Sequence, residues 1–531
     1  MKRSVTRREW LRRCSAAGLG AAWSPETTRA QARSVPRYET YWGDLHNHGN
    51  VGYAQGSMRR AFEIARNHLD FFAFTPHAHW HDIGHYDGNI ENKWINGFAV
   101  TRARWPEALR TAREFDAPGK FVTIAGYEWH STSLGDYHVL FPDLGAELVT
   151  PDDLKELQQF AKKRGCIMIP HHPANRLGHR GANFAHLDPA VSPLLEMYSE
   201  WGNAEHDRAP FPYSRHTEGG RWTKNTLQYL LSQGHRVGVI ASTDDHLGFP
   251  GGYREGLAAV KAAELTREAI FDALRSRRTY AVTGDRIGLD FTMNGEMMGR
   301  ELPYARERVL RVAVKGWDQV DRVEVLKNNR VIHRDFPMDR PVSPRSWNLP
   351  VLVRFEYGWG PWPALGMSRT CDWSFQVSIE GGVLHDLQPC FQSGPLDEER
   401  RDRIVERTER SVRVQSFTAL REQFEDISTK AVVLRLRGTP ETRLTIALDK
   451  PSAKSLTLSL AELAESGEAL FTGPFPRESA MVHRLVFNEN YETAFTVNDT
   501  DNGSAANWYY VRVVQANGQL AWSSPVWLER A

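Results

Sequence analysis

The sequence predicts an α/β fold, a largely parallel sheet covered by helices, followed by a β-sandwich. Three observations carry this. Short strands that are apolar on both faces alternate with helical patterns between residues 40 and 285, as strands buried under helices do. The strands end in His, Asp or Glu. Beyond Arg286 the apolar period changes to two, the mark of sheets with one covered face.

In order, Tyr41–Gly43 runs into Asp44-Leu45-His46-Asn47-His48. The apolar positions Met58, Phe62, Ile64 and Ala65 predict a helix over 57–68, followed by a strand over 69–74 that ends in Thr75-Pro76-His77-Ala78-His79. A strand over 121–125 ends in Gly126-Tyr127-Glu128. Thr150-Pro151-Asp152-Asp153 reads as a capped helix start, the helix stops at Gly165, and Cys166–Ile169 leads into Pro170-His171-His172-Pro173. A helix over 223–232 precedes Val237–Ala241, which ends in Ser242-Thr243-Asp244-Asp245-His246. The segment 83–119 is long for a connection and reads as a packed excursion or a partial lid. Farther on, strands are expected over 309–314, 320–326, 432–436, 444–448 and 509–514, with hairpin turns at Lys327-Asn328-Asn329 and Asn517-Gly518. The charged run 397–410 reads as a solvated helix or loop, and Tyr357–Trp362 as a buried edge or an aromatic sugar platform.

Composition narrows the function classes. Hydrophobic residues make up 41% and charged residues 25% of 531, the balance of a globular chain. No apolar run reaches a membrane-spanning length. The formal charge is +1, with no basic block interleaved with aromatics, so nucleic acid is not the expected partner. Thr6-Arg7-Arg8-Glu9-Trp10-Leu11, a weakly apolar 16–23 and Ala30-Gln31-Ala32 resemble a twin-arginine export signal over 1–32. The expected mature chain is periplasmic or secreted and carries 59 basic against 63 acidic residues. It retains Cys166, expected in a buried strand, and Cys371 and Cys390, whose spacing allows a bridge. Domains are expected at 33–285 and 286–531.

Of 20 histidines, 17 lie between His46 and His246. His46 and His48, two apart at a strand end, project to one face and can clasp one ion. Imidazole and carboxylate groups at five strand tips point to a metal centre, because burying that many ionisable groups is costly unless a cation compensates them. Such ligands suit Zn, Mn or Fe.

These motifs, Gly43–His48, Thr75–His77, Glu128, His172-Pro173 and Asp244–His246, resemble those of the PHP (polymerase and histidinol phosphatase) superfamily of metal-dependent phosphoesterases. They are most similar to its secreted bacterial branch, catalogued as a domain of unknown function. The resemblance extends to Gly252–Leu257, 273–284 and 508–527. It implies a distorted (β/α)7 barrel with two divalent ions and a third site. His46, His48, Glu128 and Asp244 would hold the first ion. Glu128 would bridge to a second held by His172 and His138, and His77 and His246 would serve a third. This chain departs from the pattern at Pro76 and Gln55, where carboxylate or imidazole ligands are expected.

The implied chemistry is hydrolysis of a phosphate ester, with His77 or His246 protonating the leaving oxygen. Arg176, Arg180 and Arg254 are candidate anion clamps, and Tyr127 a candidate substrate contact. The expected substrate is a small-molecule or glycan-linked ester. Two other readings are a metal-dependent hydrolase or lyase acting on a carbohydrate-type substrate, and a non-catalytic envelope binding protein with a degenerate metal site. His79, His81 and His85 read as an exposed loop or as replacements for the missing third-site ligands, and His130, His171 and His179 as groups around the ligands or in solvent, His171 foremost among them as a ligand.

Overall fold

The computed structural model describes residues 38–529 except 215–216, 361, 363–364, 395–396, 420–428, 501–502 and 504–505. The segment 1–32 expected to be an export signal, with Cys14, and Pro361 lie outside the described residues.

Among the described residues the front half contains eleven strands: β1 (Glu39–Asp44), β2 (Phe71–Phe74), β3 (His77–Trp80), β4 (Val122–His130), β5 (Tyr137–Leu140), β6 (Ile167–Pro170), β7 (Leu194–Ser199), β8 (Gly202–Asn203), β9 (Gly238–Ala241), β10 (Leu257–Ala262) and β11 (Thr279–Val282). β1, β2 and β4 pair in parallel. β5 runs antiparallel to both β4 and β6, so β6 points the same way as β4. β9 pairs in parallel with β7, and the parallel bridge Asn47–Asp245 aligns its tip with that of β1. All five tips read from the sequence therefore emerge on one side.

The sheet is mixed, not parallel. β10 and β11 join antiparallel at the β1 edge, and β8-β7-β9 forms a separate three-stranded sheet packed between β6 and β11. Strand pairing thus leaves the implied (β/α)7 barrel unclosed. The reason lies in short connections, such as the one between β4 and β5, which leave no room for crossover helices.

Helices cover the outside where their apolar stripes dictate. Met58–His68 starts at Ser57, whose side chain accepts from the Arg60 amide, and buries Met58, Ala61, Phe62 and Ala65. Leu154–Arg164 starts at Asp153 and stops at the left-handed Gly165, so Pro151 lies before the helix and not at its first position. The long excursion is largely one helix, Asn92–Phe115, with Phe98, Trp105, Leu109 and Phe115 buried. No helix among the described residues is long and apolar enough to cross a membrane.

Arg286 marks a change of strand pattern but no break in the sheet. β11 pairs with Leu520–Ser523, which pairs with Ala506–Gln515. A four-stranded antiparallel sheet is built on Gly288–Met293, Glu307–Lys315 and Glu492–Thr500. Val351–Trp359 and Thr370–Glu380 then head two five-stranded antiparallel sheets that share one apolar core containing Phe355, Trp373, Phe375 and Val432. The expected hairpins occur at Asn328-Asn329, both at positive φ, and at Gly518. The charged run contains an edge strand, Arg403–Arg407, where a loop or helix is expected.

Cys371 and Cys390 form no bridge, and with Cys166 they are buried free thiols. They sit in different sheets, Cys371 facing the core around Trp373 and Cys390 facing the one around Tyr253 and Trp317.

In the sandwich, Glu356 accepts from Thr429 at 2.5 Å, His483 at 2.9 Å and Arg354 at 3.2 Å. Burial alone would raise its pKa, yet His483, Arg354 and Thr429 hold it at about 2 instead of 4.5. A depressed carboxylate contributes fully above its unfolded value and loses that contribution as pH falls toward the folded one. Glu356→Gln should therefore cost about 3 kcal/mol at pH 7, a difference from the parent that shrinks between pH 4.5 and 2. Denaturant unfolding across that range checks it, and a pH-independent difference would refute it.

Candidate metal centre

The strand tips converge because backbone and side chain bind the loops together. The fully buried Asp44 carboxylate accepts from the Thr243 hydroxyl at 2.6 Å and the amides of Gly251, Thr243 and His46 at 3.0, 3.1 and 3.2 Å. Burial outweighs these hydrogen bonds and raises its pKa to about 7. Asp244 takes a left-handed backbone (φ 53°), and its amide donates to the His46 carbonyl at 2.9 Å. Asp and Asn tolerate that conformation better than most residues.

Glu128 stands in the ladder between His77 on β3 and His138 on β5. Its two oxygens face different histidines. Oε2 lies 3.3 Å from His77 Nε2, 3.5 Å from His48 Nε2 and 3.8 Å from His46 Nε2. Oε1 lies 3.3 Å from His130 Nδ1 and in close contact with His171 Nε2. Asp244 Oδ1 is 3.0 Å from His48 Nε2 and 3.5 Å from His46 Nε2, and Oδ2 is 3.5 Å from His171 Nδ1. His46 and His48 Nε2 approach to 3.0 Å. His48, His77 and His246 form a further group of donors within 4.8 Å of one another.

The expected set His46, His48, Glu128 and Asp244 is thus brought together, as are His77 and His246 with His48. Two ligands expected from the family resemblance fall elsewhere. His171, not His172, meets Glu128, because the chain leaves β6 straight into His171 and then turns at His172 (φ 26°), whose Nε2 lies 3.6 Å from Asp136. His138, the ladder partner of Glu128, groups with His46 and Glu196.

His130 and His171 were legible as groups near the ligands, whereas Glu196 and Asp136 were not legible as members. Glu196 Oε2 meets His46 Nδ1 at 3.2 Å and His138 Nε2 at 3.4 Å. Its strand, β7, carries no terminal His or Asp motif, although Leu194–Tyr198 is an apolar run interrupted by one carboxylate, which is a usable signal.

All four candidate substrate contacts fall away from the cluster's open side or are already engaged. Tyr127 points away from Glu128, as successive strand residues must. Its ring packs against Trp105 and Phe141, and its hydroxyl donates to the Val149 carbonyl. Arg176 is exposed on the loop after β6. Arg180 is engaged already, Nη2 and Nε donating to Asp136 at 2.7 and 2.8 Å beneath the Trp80 ring. Arg254 lines a cavity that none of the cluster's donors lines. The Gln55 side chain is exposed, and its amide donates to the His246 carbonyl at 2.8 Å.

The charge balance fits cations. Glu128, Asp136, Glu196 and Asp244 are all buried. Burial alone would raise the carboxylates, but surrounding imidazoles pull Glu128 and Asp244 well below the usual range and Glu196 to about 2. Burial, with neighbouring histidines, drives His48 to about 3 and His138 to about 4, and lowers His77. These imidazoles are therefore neutral, the form that binds metal. His46 and His171 shift upward against burial, the former by Asp244 and Glu196, the latter to about 9 by Glu128. Their protons supply the positive charge that a cation would otherwise bring. Glu128 Oε2, His48 Nδ1, His77 Nδ1 and both nitrogens of His130 and His138 are buried without a hydrogen-bond partner among the described residues.

Residues 252–307 match a family model described as a protein of unknown function, DUF3604. An uncharacterized protein of Chlamydia pneumoniae is 27% identical over 258 residues, covering 44% of this chain and 41% of that protein. One of Chlamydia trachomatis is 24% identical over 329 residues, 56% and 49% of the two chains. The chain thus spans less than half the length of these relatives. A crystal structure of a two-domain protein containing a predicted PHP-like metal-dependent phosphoesterase, from Bacteroides vulgatus, aligns at a TM-score of 0.33 and 13% identity, over 82% of this chain and 100% of that one.

Glu196→Gln should leave the fold intact and weaken divalent-cation binding roughly 10- to 100-fold. Calorimetric titration with Mn or Zn measures this, and unchanged affinity would remove Glu196 from the centre.

Proposed function

We propose that the chain is a metal-dependent hydrolase of phosphate esters. The observation that carries the reading is Glu128, whose two carboxylate oxygens face two different histidine groups. A carboxylate so placed suits the bridging of two cations. His46, His48, Glu128 and Asp244 would hold one ion, Glu128 with His171 and His130 a second, and His48, His77 and His246 offer a third position. His46, His138 and Glu196 add a further donor group. Divalent ions here would supply Lewis acidity toward a phosphoryl oxygen and a water acidic enough to attack near neutral pH.

The chain's own residues divide the remaining work. His77 is buried, its ring stacked 3.8 Å from both Tyr53 and His48, which suits a fixed ligand. His246 is 30% exposed, and its Nδ1 lies 2.8 Å from the Asp244 carbonyl, which leaves Nε2 for the substrate side. That placement suits His246, more than His77, to pass a proton to the leaving oxygen when the third position holds no ion. Asp136, between His130, His171 and Arg180, orients the ligand imidazoles. The paired arginines near the N-terminus support export as part of the same proposal.

Phosphate release from a panel of monoesters and diesters, with Mn or Zn supplied, tests the reading. Glu128→Gln should lower kcat at least about 100-fold, together with a loss of bound metal. His246→Gln should lower kcat roughly 100-fold while retaining most of the metal. Turnover of carboxylic or glycosidic esters but no phosphate ester would establish the carbohydrate-type alternative, and the absence of both metal and turnover the binding-protein alternative.

A further inference from the structure

The loop Gly252-Tyr253-Arg254-Glu255-Gly256, between the Asp244 tip and β10, carries an arginine that the metal centre does not use. It lines a cavity of about 430 Å³ together with Asp318, Gln319, Arg354, Glu356, Arg484 and Asn517. This is within the size range of small-molecule sites.

We propose that this cavity binds the anionic group of a small molecule, a phosphate or a carboxylate, with the Arg254 guanidinium as its main contact. Two independent observations converge. The guanidinium makes no hydrogen bond or ion pair with the described residues, and its Nε is buried without a partner. Burying a polar donor without a partner is costly. Secondly, Arg254 sits at φ 76°, a left-handed backbone disfavoured for a side chain of this kind. Such strain persists only where surrounding contacts over-determine it, and it clusters at functional sites.

Those contacts are present. The Tyr253 amide donates to Phe391 at 2.9 Å, the Glu255 amide to Gly252 at 3.1 Å, and Tyr198 Oη to the Arg254 carbonyl at 2.5 Å. A Cβ at Gly256 would stand 2.4 Å from the Ser242 carbonyl oxygen, so the loop lies tight against the strand that leads to Asp244. The arginine is therefore presented rigidly.

The other charges in the cavity are engaged. Glu356 is answered by Arg354 and His483, and Arg484 Nε donates to the Ala464 carbonyl at 2.8 Å. Asp318 accepts from the Gln319 amide at 2.7 Å and makes no ion pair with Arg254. Phosphate and carboxylate share the geometry that a guanidinium fork reads.

Equilibrium dialysis of the metal-loaded full chain with inorganic phosphate, and separately with acetate, tests the proposal. The expected result is a binding class that survives His46→Ala and Asp244→Asn but weakens on the order of tenfold or more in Arg254→Ala. Arg254→Gly, which suits the left-handed backbone, should lose the same class while the thermal unfolding midpoint holds or rises. Loss with phosphate alone identifies a phosphorylated ligand, and loss with acetate as well a carboxylate reader. If neither Arg254 variant alters binding of either anion, or if all binding disappears with His46→Ala, the proposal is overturned.

Discussion

Four carboxylates, Glu128, Asp136, Glu196 and Asp244, are buried inside one ring of strand tips, and the front half must be organised around neutralising them. A lone buried carboxylate would take up a proton. Here imidazoles on five strands hold Glu128, Glu196 and Asp244 ionised, and protons on His46 and His171 balance part of the charge. Cations would balance it with less repulsion among the closely crowded rings. The stacked pairs His48–His77 at 3.8 Å and His46–His138 at 4.6 Å tolerate that proximity because burial keeps one ring of each pair neutral.

Holding such a cluster needs a scaffold with little freedom. Asp44 supplies it behind the ligands, joining the loop of His46, the loop of Asp244 and the loop after it through four hydrogen bonds. Ligand atoms fixed by backbone in this way lose little entropy when an ion arrives.

How much of this was legible follows from what each signal encodes. The tips of β1, β2, β4, β6 and β9 could be read because apolar runs followed by His or Asp occur locally in the chain. Glu128 proved to lie within β4 and not past its end, and that position in the ladder sets it between His77 and His138. Glu196 was missed because its role depends on β7 packing beside β6, a tertiary fact. The choice between His171 and His172 rested on φ at a single residue, which a motif does not encode. Tyr127 could have been excluded by strand alternation alone. The antiparallel β5, β10 and β11 escaped the parallel reading because strands buried on both faces look alike in either direction. The thiols at 371 and 390 looked pairable by spacing, which carries no information about which core each faces.

The last strands of the chain pair with β11, and Glu205 of the front half accepts from Tyr510 at 2.8 Å, Arg512 at 2.9 Å and Trp522 at 2.9 Å. A nascent polypeptide emerging from the ribosome would therefore expose the β11 edge until Leu520–Ser523 is translated, and the Glu205 carboxylate until Tyr510 and Arg512 arrive. Assembly of the front half is in this sense deferred until those strands have been made, and a chaperone shielding that edge would act on a defined interval of translation.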